Sequence, residues 1–379
     1  MKDLRLAKRL GQFPEYVHAR LAKEVAEVER VSGRKVLNFG IGSPDVPPSE
    51  KYLGKLSEFI RDPDAHLYPG YGGTREFKDA IRAWYEKRFD VELDEDEVVV
   101  LLGAKDGIAH LPFALADAGG EILVPDPGYS GFSGAALLAD TKLVSYGSLD
   151  ELEQKITDPG RAGKTAFVWV NFPSNPTGAV ATLNELKELV ALAKKHGVLL
   201  AYDNAYSEIT FDGYVAPSIL QVSGAKDIAV ELGSFSKTFS LAGYRMGWLV
   251  GNKDIVAALA KVKTQMDSGM SLPLQRLGAY ALSNQDMDWH KKMLATYQKR
   301  RDVIAEKLRA LGLTFDIPKG SLYLWAKIPD SAKDSESYCM ALLKEKNVLF
   351  TPGTAFGAQG ERYVRVSICV DVNNINSYL

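Results

Sequence analysis

The sequence predicts an α/β fold: a large domain with a mostly parallel sheet flanked by helices, plus a smaller α/β domain built from both chain ends. Two observations lead there. Through the middle of the chain, short β-branched apolar runs alternate with amphipathic helical patterns, as parallel strands joined by crossover helices require. The flanks lack that alternation. A helical stretch rich in Ala, Glu and Arg leads, and short strands around one helix close the chain.

In chain order, residues 5–35 read as one helix. Thr74 to Phe89 reads as a second, apolar at Phe77, Ile81, Trp84 and Tyr85, a spacing that lines one helical face. Seven candidate strands come next: Val98–Leu102, Ile122–Val124, Leu143–Tyr146, Ala166–Val170, Val198–Tyr202, Ile228–Leu232 and Met246–Val250. Between them, Ile108 to Ala116 reads as a helix opened by a Gly-rich turn. Thr182 to His196 reads as another, with Thr182 and Glu185 as a capping box and Gly197 as its stop. A long helix near Asp288–Leu311 precedes short strands at Leu322–Ala326, Val348–Phe350 and Tyr363–Ile368, and Asn373-Asn374-Ile375-Asn376 is a weak helix former. The expected division is a large domain over residues 46–275 and a small one from 1–45 and 276–379.

Bulk properties narrow the function. The 379 residues, 46% hydrophobic and 25% charged, suit a globular protein of two lobes. A net charge of −2 gives no reason to expect nucleic acid or an anionic membrane as partner. No apolar run approaches the ~18 residues needed to span a bilayer. Met1 to Leu10 is basic and lacks the apolar core of a signal peptide. Two cysteines, Cys339 and Cys369, fit a reducing compartment, so a cytoplasmic location is expected. His18, His66, His110, His196 and His290 are scattered with no HExxH or CxxC nearby, and no bound metal is expected.

Six segments carry chemistry. Ser234-Phe235-Ser236-Lys237 places an amine among hydroxyls after an apolar strand, and Arg245 follows a Gly-containing turn eight residues on. Such a lysine can condense with a carbonyl, while hydroxyls and a guanidinium can hold a phosphate. Asp203 follows the strand Val198–Tyr202, where open α/β sheets collect ligands, and Tyr206 comes three residues later. That carboxylate can pair with a protonated ring nitrogen or simply cap the next helix. In Asn171-Phe172-Pro173-Ser174-Asn175-Pro176-Thr177-Gly178, two prolines and a glycine make a rigid turn that fixes Asn175 at the sheet rim. Gly103-Ala104-Lys105-Asp106-Gly107 opens a helix whose first N–H groups suit an anion. Pro125-Asp126-Pro127-Gly128-Tyr129 sets an aromatic ring beyond a further strand end, able to stack on a flat molecule or to pack on the surface. Arg365, inside the strand-like Tyr363–Ser367, wants a carboxylate to fork onto, from a substrate or from the protein itself.

Taken together these segments resemble the fold-type-I, class I and II pyridoxal-phosphate aminotransferases over nearly the whole chain. The motifs Asn175-Pro176-Thr177-Gly178, Asp203-Asn204-Ala205-Tyr206, Ser234-Phe235-Ser236-Lys237, Arg245 and Arg365 stand in that family's order. The resemblance implies that Lys237 bonds pyridoxal 5'-phosphate and that Asp203 pairs with its ring nitrogen. It implies that Tyr206 and Asn175 bond the ring hydroxyl, and that Tyr129 stacks on the ring. Ala104, Lys105, Ser234, Ser236 and Arg245 would hold the phosphate, Arg365 the substrate α-carboxylate, and Gly42 would line the substrate site. Tyr68, in Tyr68-Pro69-Gly70-Tyr71, matches a tyrosine that reaches the neighbouring subunit's phosphate, so a homodimer with shared sites is implied.

A narrower likeness is to the LL-diaminopimelate aminotransferases and their relatives. It rests on Asn38–Asp45, Gly103–His110, Asp126–Tyr129 and Ala205–Ile209. Ser43 stands where that group commonly has aspartate, and the segment after Ser130 is short. The resemblance implies ping-pong transfer of an amino group from an amino acid, LL-diaminopimelate favoured, to 2-oxoglutarate or another keto acid. A general aspartate, glutamate or aromatic aminotransferase is the alternative, and a β-lyase of the same fold would share every cofactor contact. The Ser234-x-x-Lys237 spacing also occurs in penicillin-binding enzymes, but the chain has no Lys-Thr-Gly to accompany it. A dinucleotide reading of Gly40-Ile41-Gly42 fails because Pro44, Pro47 and Pro48 forbid the helix it needs.

Overall fold

The structure, a computed structural model, describes residues 6–13, 17–161, 163–373 and 375–379. Arg5, Asn374 and the side chain of His18, which entered the sequence reading, lie outside them. After β1 (Leu37–Asn38) come the seven strands of one sheet: β2 (Val98–Leu101), β3 (Glu121–Pro125), β4 (Lys142–Tyr146), β5 (Thr165–Asn171), β6 (Leu199–Asp203), β7 (Ala229–Ser234) and β8 (Gly247–Gly251). They lie in the order β2-β8-β7-β6-β5-β3-β4. All seven candidate strands form, each end within two residues of its expected place. Neighbours among β3 to β7 are parallel, while β8 runs antiparallel to both β2 and β7. The residues of β2, β7 and β8 are buried throughout, because helices cover both faces of the sheet.

Local signals set the helix ends. Helix Arg75–Phe89 starts at Thr74, whose hydroxyl accepts from Phe77 N–H, and buries Phe77, Ile81, Trp84 and Tyr85. Helix Leu183–His196 has the full Thr182/Glu185 capping box and ends at Gly197 with φ 65°. Losing the Thr182 cap would cost about 1 kcal/mol.

Two expected helices differ. The stretch 5–35 is not one helix: a 3-10 turn covers Lys8–Gln12, the helix is Val17–Ser32, and Gly33 at φ 66° releases the chain toward β1. The helix after β2 begins at Ala104 and runs to Leu115, four residues earlier than the Gly-rich turn suggested. Gly107 is helical rather than part of the turn; its bare Cα lets the helix lie on β7, since a Cβ there would come 2.6 Å from Leu232 Cδ2.

The remaining strands are β9 (Tyr323–Lys327), β10 (Val348–Leu349), β11 (Thr351–Pro352) and β12 (Tyr363–Ser367). They form an antiparallel sheet β11-β12-β9, while β10 pairs parallel with β1. Phe39, Leu322, Leu324, Phe350, Val364 and Val366 share a core there with helices Met287–Ala310 and Ser335–Lys346. That pairing of residues 37–38 with 348–349 brings both ends of the chain to one place. Among the described residues, no helix is long and apolar enough to cross a membrane.

Candidate active site

The carboxyl ends of β2, β3, β5, β6 and β7 meet at one edge of the large sheet. Because β8 is antiparallel, its beginning lies at the same edge, which is how Arg245 arrives there. A cavity of about 500 Å³ opens at this edge. It is lined by Gly42, Ala104, Lys105, Tyr129, Asn175, Asp203, Tyr206, Ser234, Ser236, Lys237, Arg245 and Arg365, which were read from separate motifs. Tyr68 is the exception: it does not line this cavity and its side is open to solvent at 88%.

One end of the cavity has groups suited to an anion. Helix Ala104–Leu115 directs its first N–H groups toward it, and Ser234, Ser236 and Arg245 surround the same end. Arg245 Nη1 is steered by the Ala242 carbonyl at 2.8 Å and by Ser236 Oγ at 3.5 Å. Gly103 sits at φ 82°, and a Cβ there would come 2.6 Å from Arg245 Nη2. Glycine is what lets the backbone and the guanidinium share this space.

The middle of the cavity holds Asp203, the last residue of β6 and only 5% exposed. Burial pushes its carboxyl up to about 6, with the Ala205 N–H and the Lys237 charge pulling the other way. Asn171, at the end of the neighbouring β5, donates from Nδ2 to the Asp203 carbonyl at 2.8 Å and accepts from Asn175 N–H at 2.9 Å. One amide therefore sets the positions of both Asp203 and Asn175. On the far side, Asn204 Nδ2 donates to Glu231 at 3.0 Å. The Glu231 carboxyl, pushed up to about 7 by burial, also receives Ser218 Oγ, Tyr85 OH and Ile219 N–H, which fixes the chain just past Asp203.

The third end belongs to Lys237 and Arg365. Lys237, in the short helix Phe235–Thr238, donates to the Gly42 carbonyl at 2.9 Å. Arg365 projects from β12, 4% exposed, donating to Asn175 Oδ1 and to the Gly40 carbonyl, each at 2.9 Å. Its Nε is buried without a partner among the described residues. The rings of Tyr323 and Phe356 lie against its guanidinium at 4.2 and 4.5 Å. Among the described residues no carboxylate is paired with it, so the protein-internal alternative raised by the sequence is not what the fold uses.

Sequence reasoning gave no role to Asn171, Glu231 or Tyr323. Glu231 carries a signal in hindsight: a lone acid within the apolar run Ile228–Leu232. Leu21, Ile41, Ile108 and Leu349 complete the cavity wall, Leu21 coming from the helix near the start of the chain.

These groups fit pyridoxal phosphate. A buried carboxylate that accepts only the Ala205 N–H among the described residues suits a cationic ring nitrogen. The Gly103 cradle with its N–H groups, hydroxyls and guanidinium suits the phosphate, and Lys237, whose charge reaches Asp203, suits the aldehyde carbon.

Comparison with known proteins agrees. The profile described as aminotransferase class I and II matches residues 34–379. An LL-diaminopimelate aminotransferase of Halothermothrix orenii is 39% identical over 378 residues, covering 98% of this chain and 96% of that protein. The solved substrate-bound BacF structure from Bacillus subtilis superposes with a TM-score of 0.92 at 31% identity, over 99% of this chain and 96% of that one. An aspartate aminotransferase from Rhizobium meliloti superposes at 0.90 with 26% identity, over 99% and 97%.

Proposed function

The chain belongs to the class I and II aminotransferases, enzymes that use pyridoxal 5'-phosphate, and from that premise we propose that its amino donor is LL-diaminopimelate. The acceptor in this reading is 2-oxoglutarate or another keto acid, and the two half-reactions alternate in ping-pong fashion. The observation that carries an amino-acid donor is Arg365, buried, fixed by Asn175 and Gly40, and facing the cavity that holds Lys237. Support for LL-diaminopimelate is the likeness to the Halothermothrix orenii enzyme over nearly its whole length.

When bound, pyridoxal phosphate supplies an electrophilic carbonyl carbon and an electron-poor ring able to accept an electron pair. The protein's own groups do the rest. Ser234, Ser236, Arg245 and the N–H groups at Ala104 and Lys105 would hold the phosphate. The Asp203 carboxylate would keep the ring nitrogen protonated, and Tyr206 with Asn175 Nδ2 would hold the ring oxygen. Tyr129 would pack against the ring. Arg365 forks the substrate carboxylate and so presents the α-carbon's hydrogen toward Lys237. Lys237 Nζ, as a free amine, would take that proton.

In this reading the exposed Tyr68 serves the phosphate of a second copy, which makes the enzyme a homodimer with shared sites. We also place it in the cytoplasm, in keeping with its two buried free thiols, Cys339 and Cys369.

The test is a half-reaction: the loaded protein is mixed with LL-diaminopimelate without a keto acid, and the visible band of the bound cofactor is followed. Rapid loss of that band is the expected result. A specific observation favours a second reading, a general or aromatic aminotransferase: Leu21, Ile41, Ile108 and Leu349 make much of the wall apolar. Conversion by aspartate, glutamate or an aromatic amino acid but not by LL-diaminopimelate would select it.

A further inference from the structure

Tyr323 belongs to none of the motifs, yet it touches three parts of the site. It opens β9 and is 3% exposed. Its ring centroid lies 4.2 Å from the Arg365 guanidinium. Its hydroxyl lies 3.2 Å from Tyr206 OH and 3.4 Å from the Gly42 carbonyl, which also receives Lys237 Nζ. A Cβ at Gly42 would fall 1.9 Å from that hydroxyl, so glycine is the residue that admits it.

We propose that Tyr323 is a positioning residue that joins the carboxylate clamp to the anchor of the cofactor's ring oxygen; this rests on the residue roles given under the proposed function. A tyrosine hydroxyl has one proton to give and lone pairs to receive. With the Tyr206 proton directed to the ring oxygen, Tyr206 can only accept from Tyr323. The Tyr323 proton then has two acceptors, and the Tyr206 oxygen is the nearer. Donation there makes Tyr206 the stronger donor, since bonds in a chain polarise one another by roughly 10–30% in a low-dielectric site. A stronger donor holds more negative charge on the ring oxygen and lowers the basicity of the nitrogen conjugated with it. At 3.2 Å the bond is longer than the usual O–H···O of about 2.7–2.8 Å, so the effect is modest. The ring of Tyr323 meanwhile keeps the guanidinium plane in place.

The experiment uses the cofactor-loaded enzyme as wild type, Tyr323→Phe and Tyr323→Leu. The visible band of the bound cofactor is titrated with pH, and succinate, an unreactive dicarboxylate, is titrated into each protein. Tyr323→Phe should raise the pH midpoint of the band by about half a unit and leave succinate affinity within about twofold. Tyr323→Leu should show the same rise and weaken succinate by about fivefold or more. In a Tyr206→Phe background, Tyr323→Phe should shift nothing further. An unchanged midpoint in Tyr323→Phe overturns the proposal, as does a full shift in the Tyr206→Phe background or undiminished succinate binding by Tyr323→Leu. A wild-type protein with no pH-sensitive band would instead overturn the assignment of residue roles on which this rests.

Discussion

Lys237 Nζ donates to the Gly42 carbonyl at 2.9 Å, joining the short helix after a central strand to a loop near the start of the chain. The amine is thereby held in the cavity, with Asp203 near enough to feel its charge and Arg365 lining the same space. Lys237→Ala removes the nitrogen that would bond the cofactor while leaving the phosphate cradle whole. It should abolish both the absorption band that the Lys237–cofactor bond gives and turnover, read by spectrum and by keto-acid release. A variant that keeps both would remove Lys237 from the mechanism.

Arg365 lies against the rings of Tyr323 and Phe356 and is bonded to Asn175 and Gly40, so its plane is set by the protein alone. Arg365→Lys keeps a positive charge but loses the fork and leaves Asn175 Oδ1 less well held. The KM for every amino-acid donor should rise about tenfold or more, with a smaller change in kcat. Steady-state kinetics with two donors of different side chains checks this, and an unchanged KM would point to another clamp.

Gly103→Ala tests the phosphate cradle. The added carbon would meet Arg245 Nη2 at 2.6 Å and sit on a residue with φ 82°. Either the guanidinium or the first turn of the helix must move, and both line the end of the cavity proposed to take the phosphate. Cofactor should dissociate on dialysis far faster than from wild type, with a dissociation constant weakened at least about tenfold, the worth of one charge-assisted bond. Retention equal to wild type would mean that this end of the cavity does not bear the phosphate.

The legible parts of the molecule were those in which local chemistry decides the outcome. The strands of the large sheet are short apolar runs, largely buried except at the edge strand β4, and their pattern survives without tertiary information. Lys237, Asp203 and Asn175 were legible because Asp203 ends a strand and the other two follow one within four residues, where such a sheet binds ligands. Tyr323 was not, because Tyr323-Leu324-Trp325 reads as an ordinary core strand, and its meaning comes from a neighbour 117 positions away, Tyr206. Asn171 was hidden in a turn whose neighbouring amide, Asn175, drew the attention. Gly107 was misread as turn chemistry when its cause was the closeness of helix and sheet at Leu232.

Asp203 links stability to function through its environment. Burial raises its carboxyl in the cofactor-free protein from an ordinary 3.8 to about 6. For a carboxyl so raised, the native state holds a proton that the unfolded chain has already lost between those two values. Stability contributed there is therefore present below about pH 4 and falls as pH rises toward 6. Asp203→Asn removes the ionisation without changing the shape. The cofactor-free variant should gain stability over wild type at pH 7 by about 3 kcal/mol, and most of the gain should be gone by pH 4, measured by urea unfolding at both values. The same variant should still bind cofactor, through the cradle, yet lose most of its rate, because an amide cannot balance a cationic ring nitrogen. Gain of stability with near-normal activity would separate the buried carboxylate from the ring. Loss of activity without the pH-dependent gain would mean that the Lys237 charge already compensates Asp203 before the cofactor binds.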